Sequence, residues 1–153
     1  TSFFLRARNR VGLTIYGETV NVIPPDTGER HLYRILTALA EVKPSGGLGL
    51  HTVLGDLRNF TPRSPVMVLS TLESDPTSTT ALREITARGF KLTVIAPDTL
   101  DYDREARIIS PTVYFTASAS LDNKITEARS LGARAMRWDP ESVLSTSLAE
   151  VVV

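Results

Sequence analysis

Two continuous apolar runs of strand length, PVMVLS at residues 65–70 and KLTVIA at 91–96, constrain this chain more than any other feature in it. A strand with one wet face alternates apolar and polar residues. An unbroken apolar run reads instead as a strand buried on both faces, the usual state in a parallel sheet. Parallel neighbours need a crossover, and ALREITARG between the two runs has helical spacing and a closing glycine, Gly89. The pair therefore predicts a β-α-β unit. The alternation continues: residues 112–131 read as a longer helix ending at Leu131-Gly132, ARAMRW as a short strand and PESVLSTSLAEV as a terminal helix.

The first third of the chain is patterned differently. TSFFLRARNR begins with apolar residues that run straight into charge, as at the end of a helix whose start lies upstream, which suggests a fragment of a longer protein. Val11, Leu13 and Ile15 then alternate with smaller or more polar residues, Gly17 and Glu18 supply a turn, and TVNVI follows. Residues 11 to 23 are expected to form an antiparallel hairpin that Pro24 and Pro25 terminate. Asp26 or Thr27 is placed to cap a helix carrying Leu32, Ile35, Leu36 and Leu39 on its inner face. That helix stops by Pro44, and PSGGLGLH links it to a second helical stretch, HTVLGDLRNF.

Strands alternating with helices imply an α/β layer fold with a mainly parallel sheet and one antiparallel hairpin, built as a single domain over residues 1–153. An apolar share of 42% suffices for a core. Lysine plus arginine equals aspartate plus glutamate, 17 against 17, so no global field gathers nucleic acid or an anionic membrane. The chain has no cysteine, which removes disulfides, thiolate nucleophiles and cysteine-ligated metals. No apolar run approaches the roughly 20 residues of a membrane span.

The glycine loop invites a phosphate-binding reading, and its surroundings argue against one. A P-loop needs a lysine and a hydroxyl residue after its last glycine and a strand before its first. Here Leu50 follows Gly49 and a helix precedes the loop. The dinucleotide fingerprint fails for want of a third glycine and a leading strand. His31 and His51 have no second ligand at helical spacing, and solvated or capping roles are expected for both. No GxSxG elbow or Ser/His/Asp set is present. Asp98, Asp101, Asp103 and Glu105 cluster just beyond KLTVIA, where open α/β sheets bind ligands, yet carboxylates early in a helix also answer the helix dipole. Capping is the favoured role. Trp138 is expected to pack at a sheet edge.

The order NRVGLTIYG, HLYRILTAL, glycine loop, SPVMVLSTLESD and LGARAMRWDP resembles a family: the uncharacterised von Willebrand factor A-like domains found beside MoxR-type AAA+ ATPases, domain of unknown function fifty-eight. The resemblance implies a Rossmann-like three-layer sandwich. It also implies a metal-ion-dependent adhesion site above the carboxyl ends of the strands, with ligands from a DxSxS motif after the first strand, a threonine in the glycine loop and a later aspartate. A hard divalent cation takes oxygen ligands, and one open position lets a partner's carboxylate complete its shell. This chain departs from that pattern. The first strand and DxSxS are absent from it, Leu48 stands where the loop threonine belongs, and Thr71 stands where the aspartate belongs. Glu73 and Asp75 are the remaining oxygen donors nearby. The missing strand would lie mid-sheet, between the hairpin and PVMVLS, leaving open whether those halves pair directly, a second chain supplies the strand, or its residues lie outside this sequence.

The expectation is thus a non-catalytic protein-interaction module with a degenerate metal site, no cofactor, and binding loops at Ser45, Gly46, Gly47, Gly49, Ser70, Thr71, Asp98 and Asp101. The resemblance alone implies a MoxR-like ATPase as partner, and a cytoplasmic location with membrane helices outside this segment. Two other classes stay open: a ligand-binding or enzymatic domain with a pocket beyond the strand ends, and a divalent-metal-dependent adhesion module. Oligomeric state is not legible.

Overall fold

A computed structural model describes residues 2–43, 47–59, 63–72 and 75–144. The fold is mixed α/β, and the chain divides into two compact units, Thr1–Thr61 and Pro62–Val153.

In the first unit a short helix α1 (Ser2–Arg6) leads to β1 (Val11–Tyr16) and β2 (Val20–Asp26), followed by helix α2 (Glu29–Ala40) and a 3₁₀ segment (Leu50–Asn59). The two strands pair antiparallel, with Leu13 opposite Ile23 and Tyr16 opposite Val20. The hairpin runs further than its prolines suggest. Val11 pairs with Asp26 across an irregularity between Val11 and Leu13, so β2 contains Pro24 and Pro25. One extra residue in the ladder absorbs two residues that lack N–H donors, the service a bulge performs. The core is Leu5, Ile23 and Ile35, with Val11, Leu13, Leu32 and Ala38 packed against it.

Three expectations for α2 change. Its N-cap is Gly28, at φ 87°, a conformation open to glycine, while the Asp26 carboxylate accepts a hydrogen bond from the Thr27 N–H at 2.8 Å. Its buried residues are His31 and Ile35, whereas Leu36 and Leu39 remain 49% and 44% exposed. His31 is therefore neither solvated nor a cap. Its Nε2 lies 2.6 Å from the Val11 carbonyl oxygen, an acceptor only, so Nε2 carries the proton and donates. That bond ties α2 to the first strand.

The second unit contains β3 (Pro65–Leu69), α3 (Ser78–Ala87), β4 (Lys91–Pro97), α4 (Leu100–Glu105), α5 (Pro111–Ser130) and β5 (Arg134–Trp138). Its strands are parallel in the order β3-β4-β5. Thr79 at the start of α3 donates to Glu127 of α5 at 2.8 Å, so the two crossover helices lie side by side. Sequential parallel strands with right-handed crossovers place their helices on one face of the sheet, in accord with that contact. Among the described residues the antiparallel hairpin and the parallel strands form separate sheets.

β4 is the buried strand that its apolar run predicts, with Leu92, Val94, Ile95 and Ala96 all inaccessible. β3 is not: Met67 is 44% and Leu69 57% exposed. It is an edge of the described sheet, bonded to β4 alone, and an unbroken apolar run does not distinguish an edge from a centre. α3 and α5 each end in a left-handed glycine, Gly89 at φ 82° and Gly132 at φ 86°, with the following residue's N–H returning to the last turn. α5 begins at a Ser110 cap with Pro111 in its first turn. The expected terminal helix falls largely on residues 145–153, outside the described residues. Trp138 closes the edge strand β5, as expected, and its indole N–H donates to the Ser142 carbonyl at 3.3 Å. Among the described residues no helix is long and apolar enough to cross a membrane.

Candidate functional site

The carboxyl ends of three parallel strands lie together by construction, and here they carry Ser70, Asp98 and Trp138. Asp98 is the most constrained of them. Its N–H donates to the Trp138 carbonyl at 2.8 Å, extending the β4–β5 ladder by one bond. One carboxylate oxygen, one residue ahead of the Thr99 N-cap of α4, accepts from the Leu100 N–H at 3.1 Å. The other accepts from Arg137 Nε at 2.6 Å. With its side chain only 13% exposed, Asp98 sits in a place where an unpaired charge would be costly, and a guanidinium answers it.

Arg137 was not anticipated, and it organises this end of the unit. It lies two residues from Ala135 on β5 and so shares that residue's face of the sheet, toward α5. Its terminal nitrogen donates to Ser118 Oγ at 2.9 Å and Asp122 Oδ1 at 3.2 Å, both on α5. The hydrogen bond to Asp98, and after it the fields of Asp98 and Asp122, raise the arginine pKa against the opposing effect of burial. A charged residue at an inward position of a strand was the available signal; with no partner identifiable in sequence it could not be interpreted.

Asp101 turns outward. It pairs with Arg104 at 3.2 Å and holds the Tyr114 hydroxyl, and that hydrogen bond is the main reason the phenol pKa is raised. The Arg104 guanidinium lies 4.6 Å from the centre of the Tyr114 ring, and Phe115 meets the same ring edge-on at 5.5 Å. Around this cluster Tyr102, Ile108, Val113 and Phe115 are each at least half exposed. This collection of exposed aromatic and aliphatic side chains on α4, the connection after it and the first turn and a half of α5 had no counterpart in the sequence-based expectation.

The loop after β3 is held by its own polar groups. Ser70 Oγ accepts from the Leu72 N–H at 3.3 Å, and Leu72, at φ 61°, is buried. Thr71 is exposed. Asp75 Oδ1 accepts from both the N–H and the hydroxyl of Thr77, at 2.8 and 2.6 Å. Lys124 bridges the Asp75 carbonyl and the buried Ser78 hydroxyl, each at 3.1 Å. Asp75 is thus a turn-forming residue ahead of α3. Glu73 lies outside the described residues.

In the first unit Ser45 and Gly46 also lie outside the described residues. The Leu48 N–H donates to the Gly17 carbonyl at 3.0 Å, and the Gly49 carbonyl accepts from the N–H and hydroxyl of Thr52. A Cβ added at Gly47 would meet nothing within 4 Å, so that glycine does not serve close backbone approach. His51 is exposed at the start of the 3₁₀ segment. Among the described residues no three histidines or carboxylates come together in a way that would hold a metal ion. In the second unit both Asp98 oxygens and Asp75 Oδ1 already accept hydrogen bonds.

No curated protein is significantly similar to this chain. Among solved structures, the conserved hypothetical protein BatB from Bacteroides thetaiotaomicron matches with 15% identity and a TM-score of 0.46, over 57% of this chain and 47% of that one. The chain thus spans about half the length of that protein. A family profile described as "Protein of unknown function DUF58" matches residues 3–113, and on that match the chain belongs to the DUF58 family.

Proposed function

We propose that this chain is a non-catalytic protein-interaction module, a von Willebrand factor A-like domain whose metal site has degenerated, working in the cytoplasm with a MoxR-like ATPase. The observation that carries this reading is the Asp98–Arg137 pair. A carboxylate at the carboxyl end of a central parallel strand is neutralised by a side chain of the protein itself, at 2.6 Å, with α5 locked on through Ser118 and Asp122. Asp98 is thereby not left as an uncompensated carboxylate for a metal to answer. The exposed Tyr102, Ile108, Val113 and Phe115 supply the aromatic and aliphatic anchors that protein interfaces concentrate.

The test has two arms. Titration calorimetry with Mg²⁺ and Mn²⁺ is expected to show no saturable heat, and saturable binding at micromolar to low-millimolar levels would restore the metal-dependent reading. Phe115→Ala and Tyr102→Ala are expected to weaken binding of the MoxR-like ATPase by at least tenfold, the loss of about 1.4 kcal/mol. Wild-type affinity in both variants would remove this face from the interface.

A further inference from the structure

We propose that the exposed patch on α4 and the start of α5 receives a basic segment of a partner protein, one that sets Lys or Arg side chains around an apolar centre. The proposal rests on the interaction-module reading and adds the partner's chemistry to it. The patch is held from within. Arg104 lies over the Tyr114 ring, Phe115 meets that ring edge-on, and Asp101 accepts from the Tyr114 hydroxyl. On this framework Tyr102, Ile108 and Phe115 are left 72%, 67% and 69% exposed. Aromatic side chains with few rotatable bonds make good anchors, because binding removes little freedom from them.

The charges beside the patch choose the occupant. Asp98 and Asp101 are answered by Arg137 and Arg104. Asp103 and Glu105 of α4, and Asp139 and Glu141 just past β5, form no ion pair among the described residues. The two acidic groups adjoin, since Asp98, ahead of α4, donates its N–H to the carbonyl of Trp138, the residue before Asp139. Among the described residues from Asp98 to Val113 and beyond Trp138, only Arg107 is basic and outside an ion pair. The helix dipole accounts for Asp101 and Asp103 in the first turn of α4. It does not account for Glu105, which closes the helix at the end where the dipole disfavours a carboxylate. Glu105 lies three residues from Tyr102 and so beside it on the helix surface. Aromatic and aliphatic side chains rimmed by unanswered carboxylates repel an acidic partner and favour a basic one, whose Lys or Arg stems also cover apolar surface.

The probe is a pair of synthetic amphipathic peptides with the same leucine face, one carrying lysine and the other glutamate on the opposite face. Fluorescence anisotropy at low salt is expected to show saturable binding of the lysine peptide, roughly tenfold or more tighter than the glutamate peptide, and weakening as salt rises. Glu105→Lys combined with Glu141→Lys is expected to weaken the lysine peptide by roughly tenfold, and Phe115→Ala by several-fold, with unchanged circular dichroism spectra. Glu41→Gln, at an exposed carboxylate of the first unit, is expected to change nothing. Equal affinity for the two peptides, or lysine-peptide binding that survives both Glu105→Lys with Glu141→Lys and Phe115→Ala, would overturn the proposal. The MoxR-like ATPase separates the two readings. Binding that Phe115→Ala weakens and Glu105→Lys with Glu141→Lys leaves intact would overturn the basic partner and keep the interaction module. No ATPase binding, with the lysine-peptide preference and its loss in the variants both present, would remove the ATPase and keep the basic partner.

Discussion

Arg137 shows how much one side chain can settle. It joins the end of β4, through Asp98, to α5, through Ser118 and Asp122. Arg137→Met keeps much of the hydrophobic stem but leaves Asp98 without its cation at a mostly buried position. Denaturant unfolding is expected to lose about 1–2 kcal/mol, reduced from the full cost of a buried orphan charge because Arg137 itself is partly solvated. Arg137→Lys, with the charge but not the fork, should fall between the two. Tyr114 gives a second test. Its phenol titrates above the ordinary value of 10 because it donates to Asp101. The folded-state pKa exceeds the unfolded one, so this contribution to stability is complete below pH 10 and is lost as pH rises through the folded pKa. Alkaline ultraviolet titration should show one of the four tyrosines ionising late, and Asp101→Ala should return it toward the others.

At the scale of elements, helix ends separate local sequence rules from tertiary demands. Gly89 closes α3 at φ 82°, and a Cβ built there would meet nothing within 4 Å. Gly89→Ala is therefore expected to cost about 1 kcal/mol from backbone strain alone, without a clash. Gly55, in the 3₁₀ segment, has the same open surroundings without a positive φ. Gly55→Ala should stabilise by about 0.4–1 kcal/mol, because the unfolded chain loses freedom and the folded one loses nothing. Thermal denaturation of both variants checks the opposite signs. The glycines after α3 and α5 were legible because each depends on a few neighbouring residues. The cap of α2 was misassigned to Asp26 or Thr27 because the chain turns at Gly28, whose positive φ no side-chain preference announces.

For the whole molecule, the balance of 17 basic and 17 acidic residues removes the long-range field that polyanion binding uses. The chain is expected to pass unretained through a heparin column at physiological salt, and retention would expose a basic face that formal charge conceals. The α/β class and the parallel direction of β3, β4 and β5 were determined by sequence alone, since unbroken apolar runs separated by amphipathic helices admit few other arrangements. Tertiary structure decided the rest. It turned α2 so that His31, rather than Leu36 and Leu39, enters the core, and it made β3 an edge although its composition matches that of buried β4. It also brought Arg137 to Asp98 across 39 residues of chain. Periodicity reports which residues share a face, whereas which face meets the core, which strand has two neighbours and which charges meet depend on contacts between segments far apart in sequence.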